Sequence, residues 1–382
     1  MKMTEKLYYL DAYISEFSAT VISLCEKDGK YEIVLDKTAF FPKEGGQSAD
    51  TGMLGDATVL DVFEQDGTVV HITDKPLPVG EKVGGVLNFS ERYEKMKCHT
   101  AEHILCGIMH RLFGAENIGF HLGEDVVTFD VSPVLTRAEL DEVEDIANRI
   151  VAENLPVTTS FPTAEELSGL TYRAKLDITE NVRLVHIGEY DTCACCAPHV
   201  AYTGEIGLIK MLDFEKHRGG TRIYMLAGTR ALIDYRERYS VSQKISALTS
   251  TPQKDIATAV ELLMAERDNL AKELKEQRLV YARSEAMHLP PTDKNAVVLL
   301  VSADMDALRE LVNCAVHKVS GMLVALSGTD GDYKYVIGSK TVDLKPLARE
   351  INASLGGRGG GRSEMIQGSF TATVQQIRAY FE

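Results

Sequence analysis

The sequence has no apolar run long enough to span a membrane, and its first residues lack the apolar core and small-residue cleavage site of a signal peptide. It also lacks the evenly paired, spaced cysteines of a disulfide framework. Three of its seven cysteines fall within one tetrapeptide, Cys193–Cys196. This distribution favours reduced thiols and metal binding. Together these absences predict a cytoplasmic protein with no membrane partner.

An excess of basic residues is missing as well. The formal net charge is −15, which argues against nucleic-acid binding by the chain as a whole, because phosphate contacts need Lys and Arg. A local basic patch on an acidic protein remains compatible with this charge. At 382 residues the chain is too long for a single core, so we expect two or three domains.

Two separated half-motifs offer metal ligands. His99 and His103 are four residues apart in a strongly helical stretch, which makes them neighbours on one side of a helix. Cys195 and His199 have the same spacing about a hundred residues later. Each pair is a weak signal by itself. Combined, they provide three imidazoles and one thiolate, a ligand set suited to Zn²⁺.

The residues alone leave three questions open at this point. The segment His99-x-x-Glu102-His103 also fits the inverted zinc-peptidase signature, in which the Glu is the general base. A Cys/His zinc site can also be closed and purely structural, with no position open to water or substrate. Finally, Cys195 is flanked by Cys193 and Cys196, so the spacing does not identify the ligating thiol.

A glycine-rich segment near the C-terminus is the next candidate site. We expect a loop there, between two helices, where backbone amides free of side chains can approach a phosphate or ribose and two arginines add positive charge. The spacing matches neither a Rossmann nor a P-loop signature. The residues concerned are Gly356, Gly357, Arg358, Gly359, Gly360, Gly361 and Arg362.

Three motifs in this order resemble one family. The segments Thr38–Gln47, His99-x3-His103, and Cys195-x3-His199 followed by Thr203–Gly207 are similar to the editing domain of alanyl-tRNA synthetase. The Gly356–Arg362 segment resembles the C-terminal domain of the same synthetase. The aminoacylation domain has no counterpart, so the chain looks like the long form of the freestanding alanyl-tRNA editing proteins.

This resemblance implies a function and a set of site residues. The function is hydrolysis of Ser-tRNA(Ala), and often Gly-tRNA(Ala), in trans. Zinc would be held by His99, His103, Cys195 and His199, and Thr38 and Gln47 match polar residues of the amino-acid pocket. The glycine-rich segment would bind tRNA. We favour positioning plus Lewis-acid assistance by the metal, without Glu102 as the base.

Two alternatives to this deacylase function remain. One is a zinc peptidase using Glu102, and the other is a non-catalytic tRNA-binding module with a structural zinc. Ala197 and Pro198 depart from the Gly and Thr that the family favours before its last His ligand. Proline also removes an amide donor. This departure concerns the fine geometry of the site and the preference between serine and glycine.

The predicted fold class is α+β in four parts. They are an N-terminal β-rich, barrel-like domain (1–89), a zinc-containing α/β editing core (90–228), a helical linker (229–289) and a small C-terminal tRNA-binding α/β domain (290–382). We expect a helix from the N-cap Ser90 to Phe113, and a linker helix that begins at Thr251-Pro252. The linker is interpreted as a helical hairpin. The alternative is an intermolecular coiled coil, which would make a homodimer through the linker or the C-terminal domain.

Overall fold

A computed structural model describes residues 3–123, 125–174 and 182–382. The predicted mixed α+β class is confirmed, and the chain divides into two compact units, Met1–Val241 and Ser242–Glu382, which are described separately. Within the described residues, no helix has both the length and the apolar character needed to cross a membrane.

The first unit begins with eight strands, six of which pair in a closed ring. The ring order is β2-β3-β7-β6-β5-β8, and every pair in it is antiparallel. The ring contains two hairpins with tight two-residue turns, because Asp28-Gly29 and Asp66-Gly67 adopt the positive φ angles that such turns need. The strands are β1 (Glu5–Lys6), β2 (Glu16–Lys27), β3 (Lys30–Leu35), β4 (Lys37–Thr38), β5 (Gly52–Leu54), β6 (Ala57–Gln65), β7 (Thr68–Thr73) and β8 (Lys82–Leu87).

The second half of this unit surrounds a long helix with two antiparallel sheets. Their strand orders are β14-β15-β10-β9 and β11-β12-β13. The elements are α1 (Phe89–Phe113), β9 (Asn117–Leu122), β10 (Val127–Val131), α2 (Arg137–Glu153), β11 (Val157–Ser160), α3 (Ala164–Ser168), β12 (Leu184–Ile187), β13 (Asp191–Ala194), β14 (Ile209–His217) and β15 (Gly220–Ala227).

Helix α1 is the central element of this region. Its N-cap residue is Asn88 and not Ser90, which lies inside the first turn, whereas the predicted stop at Gly114 is confirmed by its left-handed φ of 62°. Every residue from Cys98 to Met109 is buried, on all faces of the helix. Polar side chains in that stretch therefore face protein interior and need partners there.

Two long helices lie around the boundary between the units. They are α4 (Thr229–Thr249) and α5 (Ile256–His288). The predicted helix start at Thr251-Pro252 is wrong, because these residues precede a separate 3₁₀ turn, Gln253–Asp255, and α5 begins only at Ile256.

The rest of the second unit is a five-stranded sheet with three helices. The strand order is β16-β17-β18-β20-β19. Its elements are β16 (Ala296–Leu299), α6 (Met305–Ala315), β17 (Leu323–Thr329), β18 (Asp332–Gly338), α7 (Leu344–Ser354), β19 (Arg358–Arg362), β20 (Met365–Phe370) and α8 (Val374–Phe381).

Only Gly356 and Gly357 of the glycine-rich segment lie in a loop between elements, as the sequence predicts for the whole segment. Arg358–Arg362 is a strand, β19, paired in register with β20 along its whole length. A Cβ on Gly359 would lie 2.3 Å from the Gln367 carbonyl oxygen, whereas a Cβ on Gly360 would meet nothing within 4 Å. The two backbones are therefore close at alternate residues, and glycine is what permits that approach.

Candidate metal centre

Four predicted ligands from two distant segments meet inside the first unit. His99 and His103 project from the same side of α1, and Cys195 and His199 lie in the segment that follows β13. One donor atom from each of the four lies within 4.8 Å of the others. The three histidines are buried, and Cys195 is partly buried. The structure thus brings together all four residues of the predicted zinc set.

Each imidazole is held through its Nδ1 atom by a different polar group. His99 Nδ1 lies 2.9 Å from Gln47 Oε1, and His103 Nδ1 lies 3.0 Å from a carboxylate oxygen of Asp191. His199 Nδ1 lies 3.0 Å from Thr100 Oγ1.

These partners assign the tautomers. Gln47 Oε1 and the Asp191 carboxylate can only accept, so the Nδ1 atoms of His99 and His103 donate. The Thr100 hydroxyl donates to the Met96 carbonyl oxygen at 2.8 Å and therefore accepts from His199 Nδ1. In the neutral form of each ring, the Nε2 atom then carries the lone pair that a metal ion needs. Orientation of ligating imidazoles through the second ring nitrogen is typical of metal sites.

The Nε2 atoms approach the thiol of Cys195. His199 Nε2 is 3.4 Å and His99 Nε2 is 3.7 Å from Cys195 Sγ. Burial by itself would raise the pKa of this thiol, but the charge and hydrogen bonds of the three surrounding imidazoles lower the pKa of Cys195 well below its usual value. Burial lowers the pKa of His199 to about 3. The cluster thus favours a thiolate beside a neutral imidazole, the forms in which these residues bind metals.

Sequence reasoning missed Asp191, Thr100 and Arg173 as members of the site. Arg173 donates two hydrogen bonds to the Asp191 carboxylate, at 2.7 and 2.9 Å, which fixes the carboxylate that holds His103. Thr100 follows a predicted ligand directly in sequence, which is the only local signal for it. Asp191 is placed at the site as the first residue of β13, which pairs with β12. Arg173 is placed there by a backbone bridge to Cys193 on the same strand.

The two predicted pocket residues lie in different surroundings. Gln47 is buried against His99, and its Nε2 has no hydrogen-bond partner among the described residues. Thr38 is fully buried elsewhere: its hydroxyl lies 2.8 Å from His71 Nε2 and accepts a hydrogen bond from the Phe40 amide. His71 Nδ1 is 3.1 Å from the Ile33 carbonyl oxygen, so it donates there and its Nε2 accepts from Thr38.

A cavity of about 330 Å³ opens beside the cluster. Side chains of His99, His103 and Cys195 form part of its wall, together with Glu102, Asn117 and Arg183. Thr38 is not among its lining residues, and neither is Gln47. The cavity therefore gives a small molecule access to three of the four clustered donors.

The other two cysteines of the tetrapeptide are differently placed. Cys193 is buried and forms a second possible donor group with His103 and Asp191. Cys196 packs against Tyr8 and Phe41, and burial raises the pKa of its thiol, which disfavours a thiolate there. Only Cys195 lies within the four-residue cluster.

The glycine-rich segment belongs to the second unit. Arg358 and Arg362, at the two ends of β19, are both exposed. Between them, Gly359 and Gly361 lie against the backbone of β20. The segment therefore presents two guanidinium groups on a strand at the edge of the sheet.

Two family matches cover parts of the chain. Residues 182–224 match the Threonyl and Alanyl tRNA synthetase second additional domain, and residues 293–382 match the DHHA1 domain. The first match contains Cys195 and His199, and the second contains the Gly356–Arg362 segment.

Similarity to curated proteins extends along almost the whole chain. Alanine–tRNA ligases from Natronomonas pharaonis, Halobacterium salinarum and Pyrococcus abyssi are 33%, 34% and 30% identical to it, each over 96% of this chain. The chain spans 42% of the length of each of these ligases. A solved structure, the C-Ala domain of Aquifex aeolicus alanyl-tRNA synthetase, is 22% identical over 24% of this chain and 92% of that domain, with a TM-score of 0.21.

Two residues of the His/Cys cluster lie in the match to the second additional domain, and the same chain carries a match to the DHHA1 domain. This combination defines a protein related to the aminoacyl-tRNA synthetases. Within that class the chain is similar to alanine–tRNA ligases along almost its whole length, while it spans 42% of the length of the ligases reported above. The resemblance predicted from the sequence motifs is confirmed at this level.

Proposed function

We propose that this protein hydrolyses the ester bond of misacylated tRNA(Ala), with Ser-tRNA(Ala) and Gly-tRNA(Ala) as its substrates. The observation that carries the proposal is the cluster of His99, His103, Cys195 and His199 beside a cavity, in a chain related to alanyl-tRNA synthetase. Within the range of small-molecule sites, a volume of about 330 Å³ is at the low end, suited to one small amino acid and its ester.

The donor set fits zinc. Three imidazoles and one thiol match the ligand types of tetrahedral Zn²⁺ sites, and each imidazole already has an orienting partner on Nδ1, which leaves Nε2 on the side of the cluster. When bound, zinc would supply Lewis acidity to the ester or to a nearby water. The protein's own contribution is to hold the ligands in place and to limit the solvent around the esterified amino acid.

The need for such a reaction follows from the size of the competing amino acids. A pocket built for alanine cannot strongly reject glycine, because one methyl group is worth about 1–3 kcal/mol, nor can it easily exclude serine. A second site must hydrolyse what the first admits. That site should hydrogen-bond the serine hydroxyl, since alanine would leave the protein partner unpaired.

The resemblance places Thr38 in the amino-acid pocket, which makes its hydroxyl a candidate for that partner. Its hydroxyl donates to His71 and accepts from the Phe40 amide, so its single proton is taken and one acceptor position remains. A serine hydroxyl can therefore only donate to Thr38, and it would have to reach a side chain that does not line the cavity. Gln47 supports the proposal differently, by orienting His99.

The test is a deacylation assay with Ser-, Gly- and Ala-tRNA(Ala), with and without a metal chelator. We expect the serine and glycine esters to be hydrolysed, the alanine ester to be spared, and the chelator to stop the reaction. Cys195→Ala should lose bound zinc and deacylation together. Cys25→Ala, at an exposed position on β2, is the matched control and should retain both.

Each other outcome has a defined meaning. A zinc-free protein that still deacylates Ser-tRNA(Ala) at full rate would make the metal structural. A protein that binds tRNA(Ala) but leaves every ester intact would refute the deacylase and favour a binding module. Peptide cleavage that Glu102→Gln abolishes would favour a peptidase.

A further inference from the structure

Glu102 lies on the wall of the same cavity as the clustered donors, one residue before His103. Its side chain is 3% exposed, although a carboxylate is among the groups least often buried without a partner. Nothing in the proposed hydrolysis assigns it a role so far.

Hydrogen bonds fix the orientation of this carboxylate. Its Oε1 atom accepts from Asn117 Nδ2, a short contact, and lies 3.4 Å from Cys106 Sγ. The other oxygen, Oε2, is 4.0 Å from His103 Nε2, the nitrogen that faces the donor cluster. One oxygen is thus held by the protein, and the second lies on the side of the cluster.

Among the described residues, no Lys or Arg forms an ion pair with Glu102. The two arginines on the cavity wall have other partners. Arg173 is paired with Asp191, and Arg183 donates to the carbonyl oxygens of Cys195 and Ala197. A buried carboxylate is costly unless a cation and hydrogen bonds compensate it. Apart from His103 and the metal proposed beside it, no cationic side chain of the described residues is paired with Glu102, so its carboxylate is an acceptor suited to a cationic group on the molecule that enters.

The esterified amino acid carries such a group, its α-ammonium. We propose that Glu102 is a specificity-determining residue that receives the α-ammonium of the aminoacyl ester, an inference that rests on the deacylase proposed above. The site then accepts esters with a free amine and disfavours esters whose amine is blocked. Peptidyl-tRNA belongs to the second class and is spared for that reason, independently of the size of its first side chain.

The experiment compares two substrates in the zinc-loaded full-length protein. Ser-tRNA(Ala) and its N-acetylated derivative are hydrolysed by wild type and by Glu102→Gln, and each rate is divided by the rate without enzyme, because acetylation changes the intrinsic lability of the ester. The amide in the variant keeps the size of the side chain and removes its charge. Glu142→Gln, exposed on α2, is the matched control.

In the wild type, we expect kcat/KM to favour the free amine. In Glu102→Gln, kcat/KM for Ser-tRNA(Ala) should fall by about 10- to 100-fold, the range for a hydrogen bond between charged groups, mainly through KM. The acetylated substrate should change by less than about threefold, so the preference collapses. Zinc content, measured by elemental analysis, should stay at the wild-type level.

Other results would overturn the inference and leave the function intact. An equal loss on both substrates, through kcat or through loss of zinc, would assign Glu102 to the chemistry or to the metal environment. An unchanged preference in the variant would remove it from amine recognition. If the wild type hydrolyses neither ester, the proposed function itself fails, which is a separate outcome.

Discussion

Replacing Gln47 by Ala tests how strongly the protein holds the ligand His99. The change removes one buried hydrogen bond, the 2.9 Å contact between Gln47 Oε1 and His99 Nδ1. Gln47 Nε2 has no partner among the described residues, so little else is lost on that side chain. Removing a group that orients a metal-ligating His typically lowers metal affinity 10- to 100-fold, which corresponds to about 1.4–2.7 kcal/mol.

The assay is a zinc competition titration against a chromophoric chelator, with thermal unfolding of the metal-free protein measured in parallel. Thr38→Val is the control, because Thr38 is as deeply buried but is hydrogen-bonded to His71 instead. We expect it to lower stability by about 1–3 kcal/mol, since it leaves a buried His71 nitrogen without a donor. Its zinc affinity should remain that of the wild type.

Two results would refute this reasoning. Wild-type zinc affinity in Gln47→Ala would mean that the contact with His99 does not orient a metal ligand. An equal loss of zinc affinity in Thr38→Val would mean that both substitutions act by destabilising the first unit as a whole. In that case neither would measure the orientation of His99.

Three further expectations follow. Burial lowers the pKa of His71 to about 4, below its unfolded value of 6.5, so the unfolded state binds a proton first as the pH drops. The free energy of unfolding should therefore fall by up to about 3 kcal/mol between pH 6.5 and pH 4. His71→Gln should remove this pH dependence in urea unfolding at pH 5 and 7, and an equal dependence in the variant would contradict the assignment to His71. Gly359→Ala should destabilise the second unit by about 1–3 kcal/mol in the same assay, because its Cβ would meet a carbonyl oxygen, whereas Gly360→Ala should have little effect; equal effects would exclude close backbone approach as the cause. Arg358→Ala with Arg362→Ala should weaken tRNA binding and reduce the slope of log K against log salt by up to about two, and unchanged binding across the salt series would remove β19 from the tRNA interface.

The cluster of four possible metal ligands could be predicted from the sequence because the spacing of its residues carries the information. Two histidines four residues apart in a helix lie on the same side of it, independently of the rest of the fold. The family resemblance then assigned Cys195 and His199 to the same site. The groups that hold the imidazoles could not be found in this way. Asp191 reaches His103 across 88 residues and Gln47 reaches His99 across 52, so tertiary packing decides these contacts.

The errors have physical causes as well. The segment from Gly356 to Arg362 reads as a loop because glycine disfavours strands, yet close backbone packing against β20 makes β19 a strand. Thr38, which matches a residue of the family's amino-acid pocket, does not line the cavity, because burial forces its hydroxyl to find a partner and His71 on β7 supplies one. Helix starts shifted by a few residues because both Ser90 and Thr251 lie near other residues that can begin a helix.

The two pairs of clustered residues, one on α1 and one after β13, are far apart in sequence, so the ribosome synthesises them at different times. His99 precedes Cys195 by 96 residues, and ribosomes add about 5–20 residues per second, so the second half-site is synthesised roughly 5–20 s after the first. During that interval the nascent chain offers an ion only the two imidazoles of α1. The complete donor set exists only after Cys195 and His199 have been made and have joined the helix, so we expect that a metal ion bound by all four residues cannot assist the folding of the β-rich segment that precedes α1 while the chain is being synthesised.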